Sequence, residues 1–360
     1  MEGSRRRRGV PCYHRPVASL ARYCRFVLAY NLGVILWGAY VRASGSGAGC
    51  GSHWPSCNGE AVPLGRSAAT WIEYSHRVSS GLVLLLALGL GVWAFRAAPR
   101  GHPVRRGAVL AVAFTLSEAA LGAGLVLFKL VARNESLARA LAVSAHLVNT
   151  LLLLAALTVV TRAAVIAAGA GRAGGAAAGS PPDGGARRRW RDLPAGLRWG
   201  LAAGLAGTMA LAATGAVAAL GDTLFPAASL RQGLAQDLSP ASHLLLRLRT
   251  VHPLLAVGVG IYLLWLCNEA ATAAAASTAR AARTWAGRVR LLVLAQGAVG
   301  LLNIGLLAPL GLQLTHLLLA DLLWIALVVL ALELLRAAPA PAAIPSTPEW
   351  VPGATSWHRP

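Results

Sequence analysis

The sequence alternates between long apolar segments and shorter polar ones. Each apolar segment is about 20 residues long, the length that an α-helix needs to cross a lipid bilayer. Eight such segments can be drawn, at 24–42, 71–95, 107–128, 138–162, 197–219, 248–268, 287–307 and 312–335. This pattern predicts an all-α membrane protein with eight transmembrane helices.

The composition excludes two other classes of protein. Hydrophobic residues make up 56% of the 360 residues and charged residues only 13%, whereas a soluble domain carries about 25% charged residues. The mean hydropathy is +0.59. A soluble globular protein and a disordered chain are both incompatible with these values.

The net charge of +20 raises nucleic-acid binding as an alternative. However, 24 of the 33 Lys and Arg residues lie at the two ends of the chain and in the loops after the even-numbered segments, and nine lie on the other side. This alternation is typical of membrane topology, in which the richer side is cytoplasmic. We therefore expect a multi-pass protein of the inner (plasma) membrane with both termini in the cytoplasm, a lipid bilayer around it and no nucleic-acid partner.

Polar stretches divide the chain into domains. Residues 163–196 are rich in Gly, Ala and Arg and are predicted to form a flexible basic cytoplasmic linker. The linker separates an N-terminal four-helix bundle, 24–162, from a C-terminal one, 197–336. Residues 1–23 form a basic cytoplasmic N-terminus, and residues 337–360 are predicted to be a disordered cytoplasmic tail.

The two halves repeat a pattern of residues in corresponding segments. The matches pair Gly38 with Gly215, His76 with His252, Glu118 and Gly122 with Gln296 and Gly300, and His146 with His316. Four matches in register predict a duplicated four-helix unit. An even number of helices gives both copies the same orientation, with a symmetry axis along the membrane normal. The predicted architecture is two pseudo-symmetric four-helix bundles.

Four histidines lie at one depth in the predicted membrane. His76, His146, His252 and His316 all occur near the outer ends of even-numbered segments, two in each half. A single membrane histidine is most often a polar contact between helices. Two facing imidazoles in one bundle are instead typical of the axial ligands of a heme iron. Zinc is the alternative, but two histidines leave it short of ligands. We therefore expect one heme site in each half.

The two predicted sites differ in a nearby ionisable residue. Glu73 precedes His76 by three residues, on the same helical face, and Arg249 occupies the matching position before His252. An acid beside a heme can move protons, so Glu73 predicts a reactive N-terminal half. Arg77 and Arg249 are candidates for contacts with heme propionates. The alternative is that Glu73 only pairs with Arg77, its i+4 neighbour.

The first outer loop contains Cys50 and Cys57 on the oxidising side of the membrane. A disulfide between them fits that compartment. Two interpretations remain open, a disulfide that shapes the loop and a redox-active pair above the reactive site. Glu118 and Asp321 lie inside predicted spans, where a carboxyl group is costly without a role or a partner.

Three motifs together resemble the heme A synthase family. They are Gly38-Ala-Tyr-Val-Arg-Ala-Ser-Gly-Ser-Gly47, the loop Cys50…Trp54-Pro55…Cys57-Asn58-Gly59, and Ile72-Glu-Tyr-Ser-His-Arg77. Residues His252-Pro253, Gly221-Asp-Thr-Leu-Phe-Pro226 and Gln313-Leu-Thr-His316 resemble the C-terminal half of that family. The resemblance extends over about 24–335.

The resemblance implies an oxidoreductase that oxidises the C8 methyl group of heme O to a formyl group, giving heme A for cytochrome oxidase. It implies that His76 and His146 ligate the substrate heme. By the same resemblance His252 and His316 ligate a heme b cofactor, Glu73 is the catalytic acid beside the substrate, and Cys50 and Cys57 are the outer-loop pair. The second half departs from some members because its outer loop has no cysteine pair.

Two other functions fit the four histidines. One is a diheme b-type membrane cytochrome for electron transfer, and the other is a heme carrier or assembly factor without chemistry. Glu73 and the cysteine loop fit both less well. The partners expected of the enzyme are heme O, heme O synthase and an electron partner of unknown identity, and a homo-oligomer is compatible with the sequence.

Overall fold

The structure is a computed structural model that describes residues 14–173, 190–275 and 280–336. In these ranges it is all-helical, as predicted. The helices are α1 (His14–Ala43), α2 (Ala68–Ala97), α3 (Pro103–Leu127), α4 (Leu137–Ala173), α5 (Ala195–Leu224), α6 (Leu230–Leu238), α7 (Leu244–Arg249), α8 (Val251–Ala275), α9 (Arg280–Gly305), α10 (Leu310–Arg336) and a 3-10 turn at Trp190–Asp192.

Eight helical segments in the described ranges are long and apolar enough to cross a membrane. They are α1 to α5, the consecutive pair α7 and α8, α9 and α10. Helices suit this role because every backbone polar group is satisfied within the segment, where the bilayer offers no water. The prediction of eight spans is confirmed, and the chain is a multi-pass membrane protein.

Several helices extend beyond their predicted ends, and α1 and α4 extend furthest. Helix α1 begins at His14, inside the predicted basic N-terminus. Helix α4 continues to Ala173, so the first part of the predicted linker is helical. Alanine favours helix there, and Arg162 is fixed by an ion pair with Glu333 of α10. The rest of the N-terminus, residues 174–189 of the linker and the predicted tail lie outside the described residues.

The sixth predicted span is broken near its outer end. Helix α7 ends at Arg249 and α8 begins at Val251. Pro253 explains the break, because it has no N–H to donate to the carbonyl of Arg249 and its ring crowds that carbonyl. The preceding loop also contains the short helix α6, capped by the Ser229 side chain, which the search for long apolar segments did not predict.

Helices α1 to α4 form a closed group in which α1 contacts α2 and α4, and α3 contacts the same two helices. In the second half, α5 and α9 both contact α8 and α10. Helix α4 joins the halves through α5 and α10. Two four-helix groups are therefore present, and the symmetry axis between them stays a prediction.

The two largest apolar cores lie away from the histidines. One core packs Leu20, Leu90, Val104 and Leu157 at the end of the first group opposite to His76. The other packs residues such as Leu266 and Val289 in the second group. All four histidines are only half-buried. These two cores thus fix one end of each group, and the four histidines lie toward the other end. Smaller clusters pack nearer to the histidines.

Candidate functional site

Each of the four membrane histidines lies against a glycine of a neighbouring helix. The pairs are His76 of α2 with Gly38 of α1, His146 of α4 with Gly122 of α3, His252 of α8 with Gly215 of α5, and His316 of α10 with Gly300 of α9. These are the positions that the sequence repeat places in correspondence. The same contact therefore recurs four times, as a duplicated unit predicts.

The glycines differ in how closely the neighbouring histidine ring approaches their backbone. A Cβ atom added at Gly38 would lie 2.8 Å from Cε1 of His76, closer than real Cβ contacts come. The equivalent distance is 3.0 Å for Gly215 and His252. At Gly122 it is 3.9 Å, an ordinary van der Waals contact. The absence of a side chain at Gly38 lets the His76 ring sit where it does, whereas a side chain at Gly215 would require a shift of the His252 ring by a few tenths of an ångström.

The two imidazole rings of the C-terminal pair lie edge to face. The centroids of His252 and His316 are 6.4 Å apart and their planes are nearly perpendicular, at 83°. Nδ1 of His252 lies 3.2 Å from the carbonyl oxygen of Leu211 and 3.3 Å from Oγ1 of Thr214. A histidine whose Nδ1 is engaged in this way presents Nε2 to a metal. Nδ1 of His316 is buried without a hydrogen-bond partner among the described residues.

The N-terminal pair has an acidic neighbour. Nδ1 of His146 lies 3.3 Å from Oε1 of Glu118, although the two groups are not oriented for a hydrogen bond. Nδ1 of His76 is buried and lacks a hydrogen-bond partner in the described part of the chain. Such atoms call for an explanation, and a bound ligand is one.

Glu73 is buried, with 4% of its surface exposed. Its Oε1 accepts hydrogen bonds from Nη2 of Arg77 at 2.6 Å and from Nε of Arg77 at 3.2 Å. Its Oε2 accepts one from the backbone N–H of Cys50 at 2.9 Å. The ion pair that the i+4 spacing offered as an alternative is therefore present, and Glu73 also ties the outer loop to α2.

The outer loop is fixed to the first turns of α2. Cys50 and Cys57 form a disulfide, which confirms that prediction. Thr70 of α2 donates from its hydroxyl to the carbonyl of Gly49 at 2.8 Å. A Cβ at Gly49 would lie 2.5 Å from the backbone of Ala69, so a glycine is required at this approach. The disulfide is thereby held beside Glu73, which lies one helical turn before His76 on α2.

Both candidate propionate ligands have protein partners. Nη1 of Arg77 donates to the carbonyls of His53 and Ser56, at 2.6 and 2.7 Å. Nη1 of Arg249 donates to Asp222 at 2.8 Å, and its Nη2 donates to Asp237 of α6 at 2.6 Å. A propionate would have to compete with these contacts, so the propionate roles stay predictions.

The residues present fit heme better than zinc. No group of three or more His, Cys, Asp or Glu side chains within 14–173, 190–275 and 280–336 is arranged to hold a metal ion. A structural zinc site needs four ligands and a catalytic one needs three. Axial ligation of heme needs two ligands on opposite sides, and each half supplies two histidines.

The model of the COX15-CtaA family, described as a cytochrome oxidase assembly protein, matches residues 21–328. The chain belongs to this family. The match extends from α1 into α10 and includes all four histidines, Glu73 and both loop cysteines. The resemblance to heme A synthases is thereby confirmed.

Named relatives of this COX15-CtaA member carry two different names. A Thermus thermophilus protein named protoheme IX farnesyltransferase is 43% identical over 317 residues, which are 88% of this chain and 48% of that relative. A heme A synthase of an Exiguobacterium species is 40% identical over 110 residues, 31% of this chain and 36% of the relative. One of Halalkalibacterium halodurans is 42% identical over 95 residues, 26% and 32% respectively. The chain spans about half the length of the Thermus relative.

One residue of this COX15-CtaA member connects the two halves in a way the sequence did not predict. Nη1 of Arg42, at the end of α1, donates to the carbonyl of Ala219 at 2.8 Å and to Oγ1 of Thr223 at 2.6 Å, both on α5. Its Nη2 reaches Oε1 of Gln313 on α10 at 3.3 Å. The only sequence signal is an arginine at the end of an apolar segment, beside the loop motif.

Proposed function

We propose that this chain is a heme A synthase, an oxidoreductase that converts the C8 methyl group of heme O to a formyl group. The observation that carries the proposal is the pair of histidines in each half, with a buried acid, Glu73, beside one pair only. Membership of a family of cytochrome oxidase assembly proteins supports it, as do the relatives named heme A synthase.

In this proposal the two halves hold different hemes. His76 and His146 ligate the substrate heme O, and His252 and His316 ligate a heme b cofactor. The 6.4 Å separation of the His252 and His316 ring centroids supports binding between them. So does the contact of Nδ1 of His252 with the carbonyl of Leu211, which turns Nε2 toward a metal. Heme b, when bound, supplies one-electron transfer. The chain itself orients both rings through the glycine contacts and limits access of water with its apolar helices.

Glu73 is proposed to hold or move a proton beside the substrate. Its carboxyl group is buried one turn from His76, and Arg77 and the Cys50 N–H fix its orientation. A buried ionisable group in a membrane bundle is a functional candidate by default. The disulfide loop would close the substrate site from the outside.

The proposed placement follows from the charge distribution. The chain would lie in the plasma membrane with both termini in the cytoplasm, and the histidine end would face outward. Its partners would be the enzyme that supplies heme O and an electron partner.

Farnesyl transfer is the second candidate function, because a close relative bears that name. About half of that relative lies outside the match, so its name need not describe the matched half. A diheme cytochrome and a heme carrier remain as the further alternatives.

Extraction and chromatography of the hemes from purified protein tests the proposal. The protein should be made in cells that also make heme O. Heme b together with heme O or heme A, at about two hemes per chain, is expected. Heme b alone at two per chain would favour an electron-transfer cytochrome, and no heme would overturn the assignment of the histidines. Farnesylation of protoheme by the isolated chain would favour the second candidate.

Gly38→Ala is expected to weaken the binding of heme O. Gly38→Ala places a methyl group 2.8 Å from the His76 ring, and such overpacking costs about 1–3 kcal/mol. Heme O binding should therefore weaken roughly tenfold to a hundredfold, measured as heme per chain at several heme concentrations. Gly122→Ala, with a 3.9 Å approach to His146, is the control and should retain heme. Equal heme content in the two variants would contradict the geometry.

A further inference from the structure

The second histidine of each half contacts the same position of the repeat, but the residue at that position differs between the halves. In the N-terminal half, Oε1 of Glu118 lies 3.3 Å from Nδ1 of His146. In the C-terminal half, Nε2 of Gln296 lies 3.2 Å from Nε2 of His316. The two contacts differ in charge and in the ring nitrogen that is approached.

The Glu118 carboxyl group is fixed by donors from α4. Oγ1 of Thr150 donates to Oε1 and Nδ2 of Asn149 donates to Oε2, each at 2.5 Å. Asn149 is in turn oriented by Phe114, whose carbonyl accepts from its Nδ2 at 3.0 Å, and by Ser117, whose hydroxyl donates to its Oδ1 at 2.7 Å. Both carboxyl oxygens thus accept hydrogen bonds, and the group is held in place next to His146.

An acceptor bonded to the far nitrogen of a metal-bound imidazole fixes the orientation of the ring and makes the ring a stronger electron donor to the metal. Oε1 of Glu118 lies 3.3 Å from Nδ1 of His146, within reach of such a bond, although the two groups are not oriented for one in this structure. Negative charge near an iron in a low-dielectric interior also stabilises the ferric state relative to the ferrous state. The amide of Gln296 provides neither a charge nor a contact at Nδ1 of His316.

We propose that Glu118 is a positioning residue that lowers the reduction potential of the heme held by His146 relative to that of the heme held by His316. The inference rests on the proposed function, which assigns a heme iron to each of these histidines. At equilibrium between the two sites, an electron would then reside on the C-terminal heme. Residues 118 and 296 would therefore give the two hemes of a duplicated fold different reduction potentials.

Another buried acid provides a matched control. Asp321 on α10 is fully buried, and neither of its carboxyl oxygens has a hydrogen-bond partner among the described residues. It lies five residues after His316 and makes no ion pair with a histidine in the described part of the chain. Asp321→Asn removes a buried carboxyl group without removing a contact to a ligand.

The test is a spectroelectrochemical titration of the heme-loaded protein, fitted with two one-electron components. Glu118→Gln should raise one component, with about a tenfold change in the ferric-to-ferrous equilibrium, equivalent to about 59 mV. The reciprocal variant Gln296→Glu should lower the other component, because it adds a negative charge beside His316. Asp321→Asn should shift that same first component by much less than Glu118→Gln does.

The outcomes separate this inference from the proposed function. If the wild-type protein holds no pair of hemes, the proposed function fails. If both hemes are bound and neither Glu118→Gln nor Gln296→Glu moves a potential, this inference fails and the proposed function stands. Should Glu118→Gln lose its heme, Gln296→Glu decides alone. A shift of both components by one variant would also overturn the inference, because it would show a general change in the interior.

Discussion

Glu73→Gln is expected to slow the formation of heme A strongly while both hemes stay bound. The substitution keeps the size of the side chain and one acceptor oxygen but removes the group that can take up a proton. Loss of a general acid or base lowers a rate by about two to four orders of magnitude. The measurement is the rate of heme A formation from heme O, followed by chromatography, together with the heme content per chain.

The hydrogen bonds of Glu73 indicate what Glu73→Gln would change if this residue had only a structural role. Its two oxygens accept hydrogen bonds from Arg77 and from the Cys50 N–H, and a glutamine can satisfy only one of them with its single oxygen. If Glu73 acts only as a tie for the loop, Glu73→Gln should loosen the loop. Thermal stability and susceptibility of the Cys50–Cys57 disulfide to reduction would then change along with heme content.

Glu60→Gln is the matched control for this experiment. Glu60 lies in the same outer loop and also forms an ion pair with an arginine, Arg66, at 2.7 Å, but both side chains are exposed. Exposed ion pairs contribute about 0–1 kcal/mol, so this variant should form heme A normally. Normal product formation by Glu73→Gln would show that the catalytic assignment is wrong. Loss of heme from Glu73→Gln would instead favour a structural role for Glu73.

Hydropathy was sufficient to predict the spans because a bilayer leaves few alternatives to helix. It was insufficient where other forces act. The break at Thr250 depends on Pro253, and α6 is short and polar on one side, with Leu230, Leu234 and Leu238 on the other. Both signals were visible in the sequence but fall outside a search for long apolar segments.

Spacing along the sequence predicted only those contacts of the site that join residues close together in the chain. The i+4 relation of Glu73 and Arg77 and the short separation of Cys50 and Cys57 were readable, and both contacts are present. The contact of Glu73 with the Cys50 N–H and the bridge made by Arg42 depend on the register between distant segments. The repeat identified Gly38 and Gly215 as equivalent, but their contact with histidines needs the packing of neighbouring helices.

Replacing one histidine is expected to remove one heme and leave the other. His146→Ala should lose heme O or heme A and retain heme b, and His316→Ala should lose heme b and retain the substrate heme. The physical reason is that an iron with one axial ligand removed is held much less tightly, while the other pair is carried by different helices. Extracted heme should fall from about two to about one per chain, and neither variant should form heme A.

A histidine at the same end of the protein but with other contacts serves as the control. Nδ1 of His243 accepts a hydrogen bond from the N–H of Leu245 and caps α7, and its ring packs 5.1 Å from that of Phe225. Asparagine is also a good helix cap, so His243→Asn should keep both hemes. Loss of both hemes from His146→Ala or from His316→Ala alone would mean that the four histidines form one shared site. The assignment of one heme to each half would then be wrong, because two independent pairs cannot be emptied by a single substitution that leaves the fold intact.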